Sequence, residues 1–438
     1  MYSIFTSRHE VPAKPARSGP ALVAALFLLA SSSTSAAPDG LTLNDALALA
    51  TSGSASAKAA RASITASEHA AARADQLPDP TLKLGIDNLP ITGPDRFRPN
   101  ADFMTMRRIG IEQQWVSRGK RQARTELARR SVEAVEAAHL DKVATIRVET
   151  GKAWMTVLYK QRALGLSRSI AREMESDLAA LQASHRGAKT SASDVLQART
   201  ELLLSGDGVD AAAQDLQTAL FQLRRWTRTD AEAVSNEPPN LDTALTRSAM
   251  PNLERMHPAV LNARRTVDLA DADVGAAVQE SRPDWSFEAG FAQRGGQFSN
   301  MVSFGVSIPL TIRRAQRQDR EIAEKAELGT RARLEYEEAL LETQSSFETQ
   351  LGQLESLKRR IARLEKELLP TAAQQVEIAL ADYRGGTGTL TAVFKARRAA
   401  LERRLQVNAL ELEAALIWAG LELRLIPQNM ASGGRVAE

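Results

Sequence analysis

Residues Lys120–Ala183 run for 64 positions without a proline, and Gly151 and Gly165 are the only glycines among them. A helix of that length would be on the order of 95 Å long. A second stretch, Arg313–Ala381, repeats the pattern with one proline, Pro370, which should kink it. Helices this long do not pack into a ball; they lie against one another. Each carries a narrow apolar seam: Val132, Val135, Val143 and Ile146 in the first, and Leu351, Leu354, Ile361, Leu364 and Leu368 in the second. The steps approximate a heptad stripe, flanked by Arg, Lys and Glu.

The two stretches belong to a duplicated unit. Pro78-Asp79 recurs as Pro283-Asp284 and Gly85 as Gly290, each 205 residues on. Ile109-Gly110-Ile111 is answered by Phe304-Gly305-Val306 at an offset of 195. His185-Arg186-Gly187 is answered by Tyr383-Arg384-Gly385, and Ala198-Arg199 by Ala396-Arg397, both 198 on. Nearly constant offsets mark a repeat of about 200 residues. The seam falls in Thr227–Thr246, where Glu237-Pro238-Pro239-Asn240 reads as a linker. The chain therefore divides into residues 38–238 and 239–427, with a tail at 428–438.

Each half has the same predicted order: helix, two strands, very long helix, turn, long helix. In the first half these are Leu43–Leu77, broken only by Gly53 and capped by Asn44 or Thr42; strands near 81–90 and 104–115; Lys120–Ala183; and Ser193–Trp226. In the second they are Leu253–Glu280, strands near 285–294 and 300–310, Arg313–Ala381 and Leu390–Leu425. The breakers between the long helices are His185-Arg186-Gly187-Ala188 and Gly385-Gly386-Thr387-Gly388.

The N-terminus reads as a secretory signal over residues 1–37: a basic start, the apolar run Ala21–Ala30, then Thr34-Ser35-Ala36-Ala37 for the peptidase. Ten apolar residues are too few to span a bilayer as a helix. The formal charge of +3 includes +2 from the first 37 residues, so the remainder is nearly neutral, which excludes a nucleic-acid binder relying on overall charge. With no cysteine, the chain has no disulfide scaffold, thiolate metal site or lipid-modified cysteine.

The strand candidates carry the functional argument. Leu82, Leu84 and Ile86 alternate with Lys83, Gly85 and Asp87. Trp285, Phe287 and Phe291 form one stripe, and Val302, Phe304 and Val306 another; Ile109, Ile111 and Trp115 share a face with Arg107. Segments of about ten residues span a bilayer as tilted strands. Four strands cannot close a barrel, and an open edge in lipid leaves backbone groups unpaired. Other copies must complete them: two copies give eight strands, filled by their own side chains, and three give twelve, wide enough for a lumen. Trp115, Trp285 and Phe291 would belong to an aromatic girdle. The expected object is a homotrimer: a β-barrel in outer-membrane lipid continued by a helical tube in the periplasm. The competing fold is a soluble sheet with one covered face.

The pattern resembles the TolC-like outer-membrane efflux family, across nearly the whole mature chain. Leu77–Pro90, Met104-Thr-Met106, Ile109–Gln114 and Gly119-Lys-Arg121 are similar to the strands and helix start of its heavy-metal branch. Arg282-Pro-Asp284, Ser307-Ile-Pro-Leu310, His257-Pro258 and Ser193–Arg199 are similar to other stretches of that branch. The resemblance implies a mixed α and β fold of two repeats, four strands per chain in a twelve-stranded trimeric barrel. It also implies docking onto a periplasmic adapter (membrane fusion) protein and, through it, an inner-membrane pump of the resistance-nodulation-division type, with metal cations as cargo. The chain departs from the family at its tips, usually Val-Gly-Leu, which here read Gly187-Ala188-Lys189 and Gly385-Gly386-Thr387; and where the first half has Asp194, the second has Ala392.

The hairpin tips are the candidate sites. Gly187, Ala188, Thr190, Gly385, Gly386 and Thr389 are expected at the adapter contact or pore mouth, since turns at a distal end permit close backbone approach. Asp194, Asp382, Tyr383 and Arg384 are candidates for a gate, because three symmetry copies would form rings of charge. His69, His139, His185 and His257 are scattered with no ligand spacing, so no metal centre is expected. Met104 and Met106, two apart on a strand, should face lipid or packed protein. No nucleophile elbow, phosphate loop or dinucleotide motif appears, so neither catalysis nor a cofactor is expected and energy must come from a partner. A duct for drugs or secreted proteins, and a soluble periplasmic coiled-coil scaffold, remain as alternatives.

Overall fold

The computed structural model describes residues 40–187, 190–243 and 252–426. The signal region, Ala188, Lys189, residues 244–251 and the tail lie outside them. Two short helices, α1 (Leu43–Gly53) and α2 (Ala55–Arg73), precede strands β1 (Thr81–Asp87) and β2 (Met106–Trp115). Helices α3 (Arg118–Arg186) and α4 (Ala192–Thr227) follow. The same order returns as α5 (Leu253–Met256), α6 (Pro258–Glu280), β3 (Trp285–Gln293), β4 (Met301–Ser307), α7 (Gln318–Arg363), α8 (Leu369–Arg384) and α9 (Leu390–Glu422).

Caps explain most boundaries. Thr42 Oγ1 accepts from the Asp45 N–H, so Thr42 rather than Asn44 starts α1. The helix expected across 43–77 is two helices. Ser54 turns extended, ends α1 and accepts from the Ala57 N–H to start α2, so the serine cap and not glycine alone makes the break. Ser117 caps α3, which at 69 residues is about 100 Å long. The second long helix begins later than expected, at Gln318, after a 3-10 turn over Arg314–Gln316. Where Pro370 was expected to kink it, residues Leu364–Leu368 form a π-helical stretch. Proline lacks an N–H and its ring crowds the carbonyl four residues back; the wider turn just before it absorbs both effects.

All four strands pair antiparallel in one sheet, in the order β1-β2-β3-β4. Each edge strand, β1 and β4, has a neighbour on one side only. The largest buried cluster lies where α1, α3, α4 and α9 meet, around Trp154, Met155, Leu158, Tyr159 and Leu223. The segment after α4 packs onto it instead of hanging free: Val234 is buried, and its N–H and C=O bond the Gln161 side chain at 2.8 and 3.3 Å. Trp154 Nε1 donates to the Leu41 carbonyl at 2.8 Å.

The apolar seams need one correction. Leu351 and Leu354 are buried as expected, but Val132, Val135 and Val143 are only half-buried, and the buried line in that part of α3 is Ala134, Ala137, Ala144 and Ile146. Helices α2 and α6 both pack on α3 there, and alanine lets their backbones come close.

Candidate functional site

The sheet has two unlike faces. On one, register places Leu84 against Ile109, Ile109 against Phe291 and Phe291 against Val302. One step along, Leu82, Ile111, Ala289 and Phe304 form the next row, and Phe287 pairs with Val306. This face is apolar and open: Phe304 is 83% exposed, and Leu82, Leu84, Ile86, Trp285, Phe287, Phe291, Val302 and Val306 are all exposed. Trp115 and Trp285 pair in register at the end of the sheet where the helices begin. Arg107 lies in the same face, opposite Ile86.

The other face is polar or bare. Lys83 Nζ lies 2.5 Å from Glu112 and 2.7 Å from Glu288; Arg108 reaches Asp87 at 3.3 Å and Glu288 at 3.7 Å. Gly85, Gly110, Gly290 and Gly305 alternate with these groups. Lys83 and Glu288 are repeat counterparts, 205 residues apart. This cross-strand network was not singled out from the sequence, although the polar parity of each strand carried the signal. Met106 falls on this polar side, opposite Asp87, and is half-buried; Met104 precedes the strand and is exposed.

At the far end of the long helices the two hairpin tips pack together. Leu181 and Ala198 from the first hairpin meet Leu390, Val393 and Phe394 from the second, with Tyr383 packed at the edge of this cluster. Arg397 pairs with Asp177, Arg398 with Glu201 at 3.3 Å, and Thr391 Oγ1 donates to Gln197. Gly187, Thr190, Gly385, Gly386 and Thr389 therefore share one end of the molecule; Ala188 lies outside the described residues. In the second turn the Asp382 carbonyl accepts from the N–H groups of Thr387 and Gly388 at 3.0 and 2.9 Å. Gly386 has φ +76°, a conformation other residues rarely adopt.

The caps show what the tip acids do locally. Asp194 forms a capping box with Ser191: its N–H donates to Ser191 Oγ at 3.1 Å, and its carboxylate accepts from the Ser191 N–H at 3.4 Å and from the Ser191 hydroxyl at 2.7 Å. In the second half Thr389 Oγ1 accepts from the Ala392 N–H at 3.3 Å, at the matching position. The aspartate is thus an addition to a cap that works without it. Asp382, Arg384 and Asp194 make no ion pair among the described residues. Among those residues no group of three His, Asp or Glu side chains is placed to hold a metal. His257 precedes α6 without a side-chain cap, its carbonyl accepting from the Leu261 N–H at 3.1 Å, and burial together with the nearby Arg424 charge pushes its pKa down to about 4.

The model of the family described as outer membrane efflux protein matches residues 250–425. The cobalt-zinc-cadmium resistance protein CzcC of Cupriavidus metallidurans is 25% identical over 374 residues, covering 84% of this chain and 85% of that protein. Among solved structures, a membrane protein from Pseudomonas aeruginosa superposes with a TM-score of 0.75 at 16% identity, over 88% of this chain and 91% of that one. CusC, whose structures describe transmembrane channel formation, gives 0.72 at 15% identity, over 87% and 91%. The Neisseria gonorrhoeae MtrE outer membrane channel in its open state gives 0.65 at 15%, over 87% and 88%. The chain shares its fold with these channel structures, and its second half, residues 250–425, is similar to the outer membrane efflux protein family.

Proposed function

We propose that three copies of this chain form the outer-membrane duct of a tripartite efflux system. Heavy-metal cations leave through it after an inner-membrane pump of the resistance-nodulation-division type passes them to a periplasmic adapter protein. The two-faced sheet with two open edges supports this reading most directly. An apolar face this exposed suits acyl chains, a charged and glycine-lined face suits a wet lumen, and unpaired edges need neighbours. Three sheets of four strands close as twelve, with residues 38–238 and 239–427 as two repeats contributing alternately. The likeness to CzcC supports metal cations as cargo.

The packed tips are the surface offered to the adapter, through Gly187, Thr190, Gly385, Gly386 and Thr389, with Ala188 between the first two. Asp194, Asp382, Tyr383 and Arg384 stand beside them as the gate. The duct works as a passive exit with no chemistry of its own, since weak contacts along a lumen let an ion leave.

Deleting the gene tests the cargo. We expect sensitivity to cobalt, zinc, cadmium, copper or silver, restored by the intact chain. Sensitivity to dyes and detergents with unchanged metal tolerance would transfer the duct to drug export.

A further inference from the structure

Where the sheet meets the helices, the first repeat grips the second. Lys120, in the first turn of α3, has a side chain only 3% exposed; its Nζ lies 2.8 Å from Asp284 and 3.5 Å from Glu280. Arg124 Nε meets Glu280 at 2.5 Å, and Gln114 Nε2 donates to Asp284 at 3.4 Å. The clamp joins the start of the helix that follows β2 to the segment leading into β3.

The acidic half of this clamp occurs twice. Asp75-Gln-Leu-Pro-Asp79 matches Glu280-Ser-Arg-Pro-Asp284, each residue 205 earlier. The basic half does too. The offset between repeats is 195 at β2 and β4 and 198 at the Ser191 and Thr389 caps, so the counterpart of Lys120 falls within residues 315–318. Arg317 is the only cation there, and Arg320 is the only cation at the matching place for Arg124. Within one chain these halves cannot meet: the segment carrying Arg317 leaves from β4, at the sheet edge opposite β1, which Asp79 precedes. Asp79, Arg317 and Arg320 are exposed, and their side chains have no hydrogen-bond or ion-pair partner among the described residues. Asp75 takes Arg121 of its own chain at 3.2 Å and stays 63% exposed.

We infer that Arg317 and Arg320 of one copy dock on Asp79 and Asp75 of the next copy, repeating between chains the clamp that Lys120 and Arg124 make within one. The occupant of this face is a second copy of the chain, and the inference rests on the trimeric duct proposed above. The contact is head-to-tail, as a closed ring requires. It would alternate with the internal clamp around the barrel base and lock β4 of each copy beside β1 of its neighbour.

Because the chain has no native cysteine, introduced thiols report the contact cleanly. Outer membranes carrying both Asp79→Cys and Arg317→Cys are treated with a short bis-maleimide and run under denaturing conditions. The expected result is a ladder of covalent dimers and trimers, absent from either single variant. In parallel, Arg317→Glu should lower the temperature at which the trimer dissociates, and Asp79→Arg in the same chain should restore it. Trimers on native gels with neither ladder nor charge rescue would overturn the inference while leaving the trimeric duct standing. A wild-type protein that is not trimeric would overturn both.

Discussion

Single side chains here act mostly as fasteners between repeats. Lys120 is buried between two carboxylates, so removing its charge strands Asp284, whose side chain is itself only 13% exposed. We predict that Lys120→Met lowers stability by about 3–5 kcal/mol, read as a lower melting temperature of the detergent-solubilised protein. An unchanged melting temperature would show the pair to be idle. His257 gives a pH prediction. Its folded pKa of about 4 lies below the 6.5 of the free side chain, so below pH 6.5 the unfolded chain binds a proton that the fold does not. Stability should fall by about 1 kcal/mol per pH unit between pH 6.5 and 4, then level off. In His257→Gln that part of the slope should vanish from a pH series of denaturation curves. None of these fasteners was legible in the sequence alone, because a lysine and an aspartate 164 residues apart carry no local pattern. The Pro-Asp repeat pointed to the place without revealing the partner.

At the scale of elements, alternation and breakers made the strands readable to within three residues, because a sheet with two unlike faces must write period two into the chain. Register remained hidden, since it depends on pairing between residues as far apart as Arg107 and Gln293. The long helices were legible from their lack of breakers; the π stretch ahead of Pro370 was not, because sequence shows the obstruction and not how the backbone relaxes around it. The valine seam of α3 misled for a related reason: burial there follows which helices approach, and small alanines admit two of them. Glycine and the repeat offset mark the tips in the sequence, while the capping role of Asp194 depends on how the turn folds back on Ser191. The two faces make a paired prediction. Phe304→Arg should block assembly in the membrane, at a cost of about 2–4 kcal/mol at the bilayer midplane. Ser303→Arg, one residue away on the polar face, should assemble normally. Equal yields of both in the outer-membrane fraction would argue against a lipid-facing stripe.

For the whole molecule, one chain is an unfinished object. Its apolar sheet face is bare, its two edges are open, and Asp79, Arg317 and Arg320 have no side-chain partner among the described residues. Each deficit is met by the same operation, rotation of another copy into place beside β4, which is why a barrel shared between chains accounts for all three. The central claim is therefore about number and symmetry. Single-particle electron microscopy of the protein extracted from outer membranes in detergent tests it most directly. The account predicts three-fold particles with a micelle-covered barrel at one end and a helical tube at the other. Monomers, or a protein that stays soluble and dispersed without detergent, would contradict it.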